Sequence, residues 1–371
     1  MPSTKIRSRR IDELDLLRGF FIVIIILDHA QFWPSPLQYL TGQGRLWVSA
    51  AEGFFLISGL LIGYLRAYKG ARTPLGELSK KLWLRAAMLY VWCVGITLAV
   101  VAFTTMLGGN ENRLPKLPEV WQLADIWTYL GQVISTHFAS DWIYFLRLYA
   151  VMLAVTPGFL WLIRRGTWYI AAGLSASIYA LSLLGNINEA TMQWQVLFFG
   201  AALIGWKLET ILAWLHHRPR LRIELLTLLI VTTLGTMATS YFFVHGWGIV
   251  ESPATSISRD AYISIRANVD PLFSNNPLVP LRIGLAFVWF FGLLALFHII
   301  RTPLKRWLGW LLMPFGQASL TAYCLQALIL PFIVTLIPLG NFWINGLLGI
   351  LTVLTMWALL RIPLMQRLLP R

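Results

Sequence analysis

The sequence predicts an all-α polytopic membrane protein of about ten transmembrane helices, a single domain over residues 1–371 with both termini in the cytoplasm. Three observations predict it. Apolar residues fill 57% of the 371 positions and charged residues only 12%, with a mean hydropathy of +0.67, a balance outside the soluble globular classes. Apolar runs long enough to cross a bilayer recur along the whole chain. The cations are distributed unevenly: with the N-terminus inside, 22 of the 30 Lys and Arg residues fall in inner connections and tails and 6 in outer ones, while Arg18 and Arg147 lie within spans. That asymmetry is the positive-inside signal of an inner-membrane protein. It accounts for the net charge of +14 with no nucleic-acid partner.

The first span, about 16–33, follows the basic start RSRR. It holds Asp28 and His29 and lacks a nearby small-residue cleavage site, so it reads as retained rather than as a signal peptide. The second, 47–66, is AAEGFFLISGLLIGY in its core; Ser58, Gly59 and Gly63 form a small-residue stripe suited to close helix packing. The third, 83–106, follows the basic 66–85 connection and carries Cys93. The fourth and fifth, 142–163 and 168–184, are divided by Arg164 and Arg165. The sixth and seventh, 194–212 and 223–244, are joined by the basic 207–222 segment. The eighth, ninth and tenth cover 282–300, 315–337 and 342–361, with Arg301, Lys305 and Arg306 in the 301–306 loop. Trp33, Trp47, Trp142, Trp161, Trp168, Trp194 and Trp343 lie at span ends, as interfacial belts do. Cys93 and Cys324 both fall in apolar spans and read as packing residues, not a disulfide or metal framework.

Only the connections at 107–141 and 246–281 are long, and both are outer. In the first, Trp121, Ala124, Trp127, Leu130, Ile134 and Phe138 recur at helical spacing, which predicts a helix lying flat on the outer interface. The second is polar and turn-rich and suits a lid or recognition loop. For each, a plain connection is the bland alternative. No internal repeat and no soluble domain is evident.

Chemistry centres on the first span. Arg18 and His29 are eleven residues apart in RGFFIVIIILDH, which on a helix brings them within about 20° of one face and roughly 16 Å apart along the axis. Ionisable groups at such depth mark a functional site by default. Arg18, with Asp15 one turn before it, suits an anionic ligand approaching from the inside. A neutral His29 can take a proton from a hydroxyl. Asp28 points about 100° away from His29 and is assigned to organising a neighbouring helix. Glu52 and Ser58 are candidates to line a polar cavity beside His29. Arg147 needs an anionic partner, and Glu52 and Asp28 both fit on depth. Gln193 and Gln195 enter span six from the outside, where an amide suits a sugar hydroxyl, and Tyr323 and Gln326 are polar positions in span nine. These residues predict an outward-facing cavity in which Glu52 and Arg147 pair near His29, with Gln195 in the floor and the 246–281 loop above. The plain structural alternative is that Arg18 snorkels and His29 is a hydrogen-bonded core residue. No nucleotide-binding or zinc-ligand motif is present.

Taken in order, LDLLRGFFIVIIILDH, GFFLISG, LRLYAVMLAVTPGFLWLIRRG, WQVLFFGAALIGW and FGQASLTAYCLQAL resemble the acyltransferase-3 superfamily of membrane acyltransferases. The resemblance is strongest to its OpgC-type branch, which modifies periplasmic glucans. It covers residues 14 to about 330 and agrees with ten spans. It implies transfer of an acyl group, acetyl or succinyl, from cytoplasmic acyl-CoA to a hydroxyl of an extracytoplasmic glycan or glycolipid. On this reading His29 is the base or a transient acyl carrier, assisted by Asp28 and Glu52. Arg18, Asp15 and Ser58 meet the CoA; Arg147, Gln195, Tyr323 and Gln326 meet the acceptor. No tightly bound cofactor and no metal is expected. Family members often carry histidine in a late Tyr-x-x-His pattern, whereas Gln326 follows Tyr323 here. The tenth span closes the sequence, so no fused esterase-like domain is expected.

A transporter or flippase of a lipid-linked or glycan substrate would also use intramembrane Arg, Glu and His. It ranks second, because Pro157 and Pro331 fall inside spans but no repeat relates them. A non-catalytic scaffold ranks third, having no use for these charges in lipid.

Overall fold

The computed structural model describes residues 11–106, 113–117, 125–135, 137–185, 187, 189–252 and 258–369. Its elements are α1 (Asp12–Ala30), α2 (Gln38–Thr41), α3 (Ala50–Ile62), α4 (Leu75–Met106), α5 (Ile126–Ile134), α6 (Tyr144–Arg164), α7 (Trp168–Leu184), α8 (Ala190–His216), α9 (Pro219–His245), α10 (Trp247–Val250), α11 (Arg259–Val269), α12 (Pro280–Ile299), α13 (Arg301–Gln317), α14 (Ser319–Leu336), α15 (Phe342–Arg361) and α16 (Pro363–Leu368). A π-helical turn over Gly63–Tyr68 extends α3. Among the described residues there is no strand.

Each predicted span has a helix, and eight of the described helices are long and apolar enough to cross a bilayer. Two are not marked by composition and length alone. Helix α1 carries Glu13, Asp15, Arg18 and Asp28 along its length, and α7 has only 17 residues. The chain is an all-helical membrane protein, and its basic connections gather at one end of the bundle. There Arg164 donates to the carbonyls of Thr73 and Gly70, and Tyr64 donates to Glu209 at 2.7 Å. We call this the basic end and the opposite one the loop end.

The main boundary difference lies before the ninth span. The 301–306 loop is part of a 17-residue helix, α13, so the ninth span begins at Ser319 rather than 315. Helix α13 starts and finishes at the basic end: Arg301 meets Glu13, while Gly316 lies against the Asp15 backbone. Its sequence RTPLKRWLGWLLMPFGQ mixes three cations with exposed Trp307 and Trp310, a composition that suits an interface better than a crossing. At the loop end, part of the 107–141 connection forms a helix, α5, with Trp127 exposed and Tyr129 and Val133 buried against Val101 of α4. Trp121 and Ala124 lie outside the described residues. The 246–281 connection is built around α11, which Tyr262 ties to α9 by a 2.8 Å hydrogen bond to the Phe243 carbonyl.

Helix α1 is the axis of the bundle, buried along most of its length and touched by α3, α12, α13, α14 and α15. Its contact with α13 is backbone to backbone. A Cβ on Gly19 would collide with the Leu312 carbonyl, and one on Gly316 with the carbonyl of Asp15. The stripe of Gly59 and Gly63 does the same for α3, laying it against the Phe198 and Ala202 carbonyls of α8, as small residues do in membranes. Cys93 and Cys324 are free and buried.

Glu13 holds the basic end together. It lies just before the predicted first span and accepts from Arg301 and from His298, each at 3.0 Å. Burial raises its carboxyl pKa, but hydrogen bonds from its backbone, Arg301 and His298 outweigh this and hold it below the usual value of 4.5. A depressed carboxyl stabilises the fold above its unfolded pKa and loses that contribution as pH falls through the folded one. Acid titration of thermal stability should therefore show a loss below about pH 4.5 that is smaller in Glu13→Gln. Gly19→Ala should lower the melting temperature, with overpacking costing about 1–3 kcal/mol. Gly235→Ala, where a Cβ meets nothing within 4 Å, is the neutral comparison.

Candidate active site

The helical period brings Arg18 and His29 to one face of α1, but they belong to two separate environments. At the loop end, His29 Nδ1 lies 3.0 Å from Gln326 Oε1 of α14. The imidazole stacks on Trp142 with ring centres 5.8 Å apart and planes 13° from parallel. Gln326 is fully buried, and its Nε2 donates to the Trp142 carbonyl at 3.2 Å. That second bond orients the amide. Because the NH₂ faces a carbonyl, the amide oxygen faces the histidine, so Nδ1 carries a proton and the neutral tautomer has its lone pair on Nε2. Gln326 thus orients His29, and span nine has a defined structural role despite the departure from Tyr-x-x-His.

Arg113, a loop cation of no evident use in the sequence, braces this cluster. It donates to the carbonyls of Ala30 at 2.9 Å, Val334 at 3.2 Å and Ile337 at 3.1 Å, and stacks over Phe32. Helix C-termini leave carbonyls unpaired and carry partial negative charge. One guanidinium therefore ties the ends of α1 and α14 beside His29.

At the other end of the face, Arg18 lines a cavity of about 180 Å³ with Arg85 of α4, Ser58 of α3, Tyr149 of α6, and Gln317, Ser319 and Tyr323 around the α13–α14 junction. Asp15, Tyr149 and Arg85 are within electrostatic reach of Arg18. The cavity also touches Ile25, Ala51, Phe55, Phe145 and Leu146. Ile25 lies four residues before His29, Tyr323 three before Gln326, and Leu146 four after Trp142. At about 1.5 Å per helical residue, the cavity stops roughly one turn below the histidine cluster. Arg85 escaped sequence reading because it lies among six basic residues of one connection, and nothing local distinguishes it from its solvated neighbours.

Other expected site residues lie elsewhere. Glu52 and Arg147 do not pair, which corrects the expected acceptor floor. Glu52 is fully buried and accepts from Arg282 Nε of α12 at 2.5 Å. It also closes the capping box of α3, accepting from the Ser49 backbone N–H at 3.0 Å and from the Ser49 hydroxyl. The capping follows from its position at N3 of α3, a signature present in the sequence as Ser49-x-x-Glu52. Arg147 bridges to Glu189, the N-cap of α8, at 2.8 Å and lies over Tyr144. Gln195 gives its amide to α7, accepting from Ser175 Oγ at 2.6 Å and donating to the Ser175 carbonyl at 2.7 Å. Asp28 faces away from His29 into a small, mostly apolar cavity with Thr41, Gly44 and Tyr241. Among the described residues no cluster of His, Cys, Asp or Glu could hold a metal ion.

The fold and these two environments define a polytopic helical membrane protein with a cationic cavity one helical turn from an oriented histidine. Comparison with known proteins supplies the family: the OpgC protein family matches residues 9–364. The chain belongs to the OpgC family, the glucan-modifying enzymes that its motifs resemble. No curated protein and no solved structure matches the chain.

The Glu52–Arg282 pair generates a prediction. Removing one partner of a buried pair leaves an uncompensated charge and costs about 3–5 kcal/mol. Arg282→Gln should sharply lower yield and melting temperature in detergent, while Arg147→Gln, whose partner is half-exposed, should do so much less. Equal melting of the two variants would show that burial does not set the strength of these pairs here.

Proposed function

We propose that this protein is a membrane O-acyltransferase of the acyltransferase-3 type. It moves an acetyl or succinyl group from cytoplasmic acyl-CoA to a hydroxyl of an extracytoplasmic glycan or glycolipid. In this reading the basic end faces the cytoplasm, as the cation asymmetry favours, and the loop end faces the acceptor. The observation that carries it is the alignment of the Arg18–Arg85 cavity with the His29–Gln326 pair, one helical turn beyond its inner wall.

The arrangement answers a physical problem. CoA is made inside, and its phosphates are too costly to carry into hydrocarbon. Arg18 and Arg85 hold the phosphates at the basic end, guanidinium being suited to their geometry. The extended pantetheine arm lies between the aromatic walls of Phe54, Phe55, Phe145 and Tyr149, and presents the thioester to His29. Nε2 takes the proton of the acceptor hydroxyl as its oxygen bonds to the thioester carbonyl carbon. The carbon–sulfur bond then breaks, and the CoA thiolate leaves with the proton returned by the imidazolium. Gln326 holds the reactive tautomer throughout, accepting from Nδ1 in both protonation states.

Two measurements test this. In transfer assays with purified protein, His29→Ala should reduce turnover about 10²–10⁴-fold, the usual worth of a positioned base, with CoA affinity unchanged; near-normal turnover ends the mechanism. By calorimetry, Arg18→Lys and Arg85→Gln should each weaken CoA binding about 10-fold or more, as loss of a charge-assisted hydrogen bond of about 1.5–3 kcal/mol implies. A transporter would show neither thioester hydrolysis nor CoA exchange.

A further inference from the structure

We propose an anion-binding site at the loop end, in a recess of about 200 Å³ between the α2–α3 connection, the end of α9, α11 and the start of α12. Arg45, Arg266 and Arg282 line it, with Asp270 and the aromatic walls Trp47 and Phe273. Only six Lys and Arg residues occupy the connections of this end, so half of them meet in one recess. Cations brought together repel, and such a cluster persists where it has anions to bind.

The counter-charges present do not complete it. Asp270 accepts from Arg266 Nε at 2.8 Å, and Glu52 from Arg282 Nε at 2.5 Å. The Phe273 carbonyl accepts from Arg282 Nη1 at 2.9 Å. The remaining Arg282 nitrogen, Nη2, has no partner among the described residues. Arg45 is exposed and makes no ion pair among them. Three guanidiniums against two carboxylates leave one positive charge on the walls of one recess. The recess far exceeds the roughly 10–15 Å³ that one water needs, and accommodates a carboxylate or phosphate attached to a sugar ring. Tyr262 fixes the roof by tying α11 to the end of α9, and Trp47 and Phe273 stack at 4.1 Å to form a rigid wall.

Anion binding stands on the recess alone. Assigning the anion to the glycan acceptor rests on the acyl-transfer reading, in which the acceptor arrives at this end. The test uses the full-length protein in detergent, with inorganic phosphate and acetate as probes at constant ionic strength and chloride as the reference. Either probe should raise the melting temperature saturably, phosphate prevailing for a phosphate ligand and acetate for a carboxylate. Arg45→Gln with Arg266→Gln should weaken that effect at least 10-fold, while CoA affinity, read at the opposite end, stays unchanged and reports an intact fold. If the double variant fails to fold, Arg45→Gln alone, at an exposed position, should still weaken it several-fold. Stabilisation equal to that of chloride, or undiminished in the variants, overturns the site. Saturable binding by a protein inactive toward acyl-CoA would keep the site and remove the acyl-transfer reading.

Discussion

A polar group inside an apolar bundle must find its partner on another element, and that requirement sets how these helices meet. Glu13 draws α12 and α13 to the foot of α1, and Glu52 locks α3 to α12. Arg147 joins α6 to the start of α8, and His29 joins α1 to α14. Lipid tails offer helices no net hydrophobic drive to associate, so these pairs and the close glycine crossings choose the neighbours that apolar side chains alone leave open.

Helix α1 shows why burial and function coincide. Its glycine contact with α13 closes one side of the helix to lipid and water. Its other side, with α3, α4, α6 and α14, lines the cavity from Arg18 to Ile25. Arg18 on that face is therefore sheltered from lipid yet borders a cavity. Gln326 fixes the imidazole through a group that cannot titrate, and its anchored amide presents only an acceptor to Nδ1.

Much of the architecture was legible because membranes enforce it. A crossing helix must be apolar for about 20 residues, so eight helices left a clear mark in composition, and the cation asymmetry marked the ends. The Arg18–His29 face was equally legible, since it depends only on the period of one helix. Helix α13 was not. Its 17 residues combine three cations with interfacial aromatics, and hydropathy reads such a segment as a connection that reaches the next span only in its last three residues.

What the sequence by itself determined, then, was the all-helical membrane class, the order of helices, and the face of α1 that carries Arg18 and His29. All three follow from local composition and period. Only the tertiary structure decided the partners. Glu52 took Arg282 rather than Arg147, Arg147 took Glu189, Gln195 turned to Ser175, and Gln326 turned to His29. Depth along the membrane normal can be read from position in a span, but azimuth cannot. Which charge faces which depends on how each helix is rotated about its axis against neighbours far away in sequence.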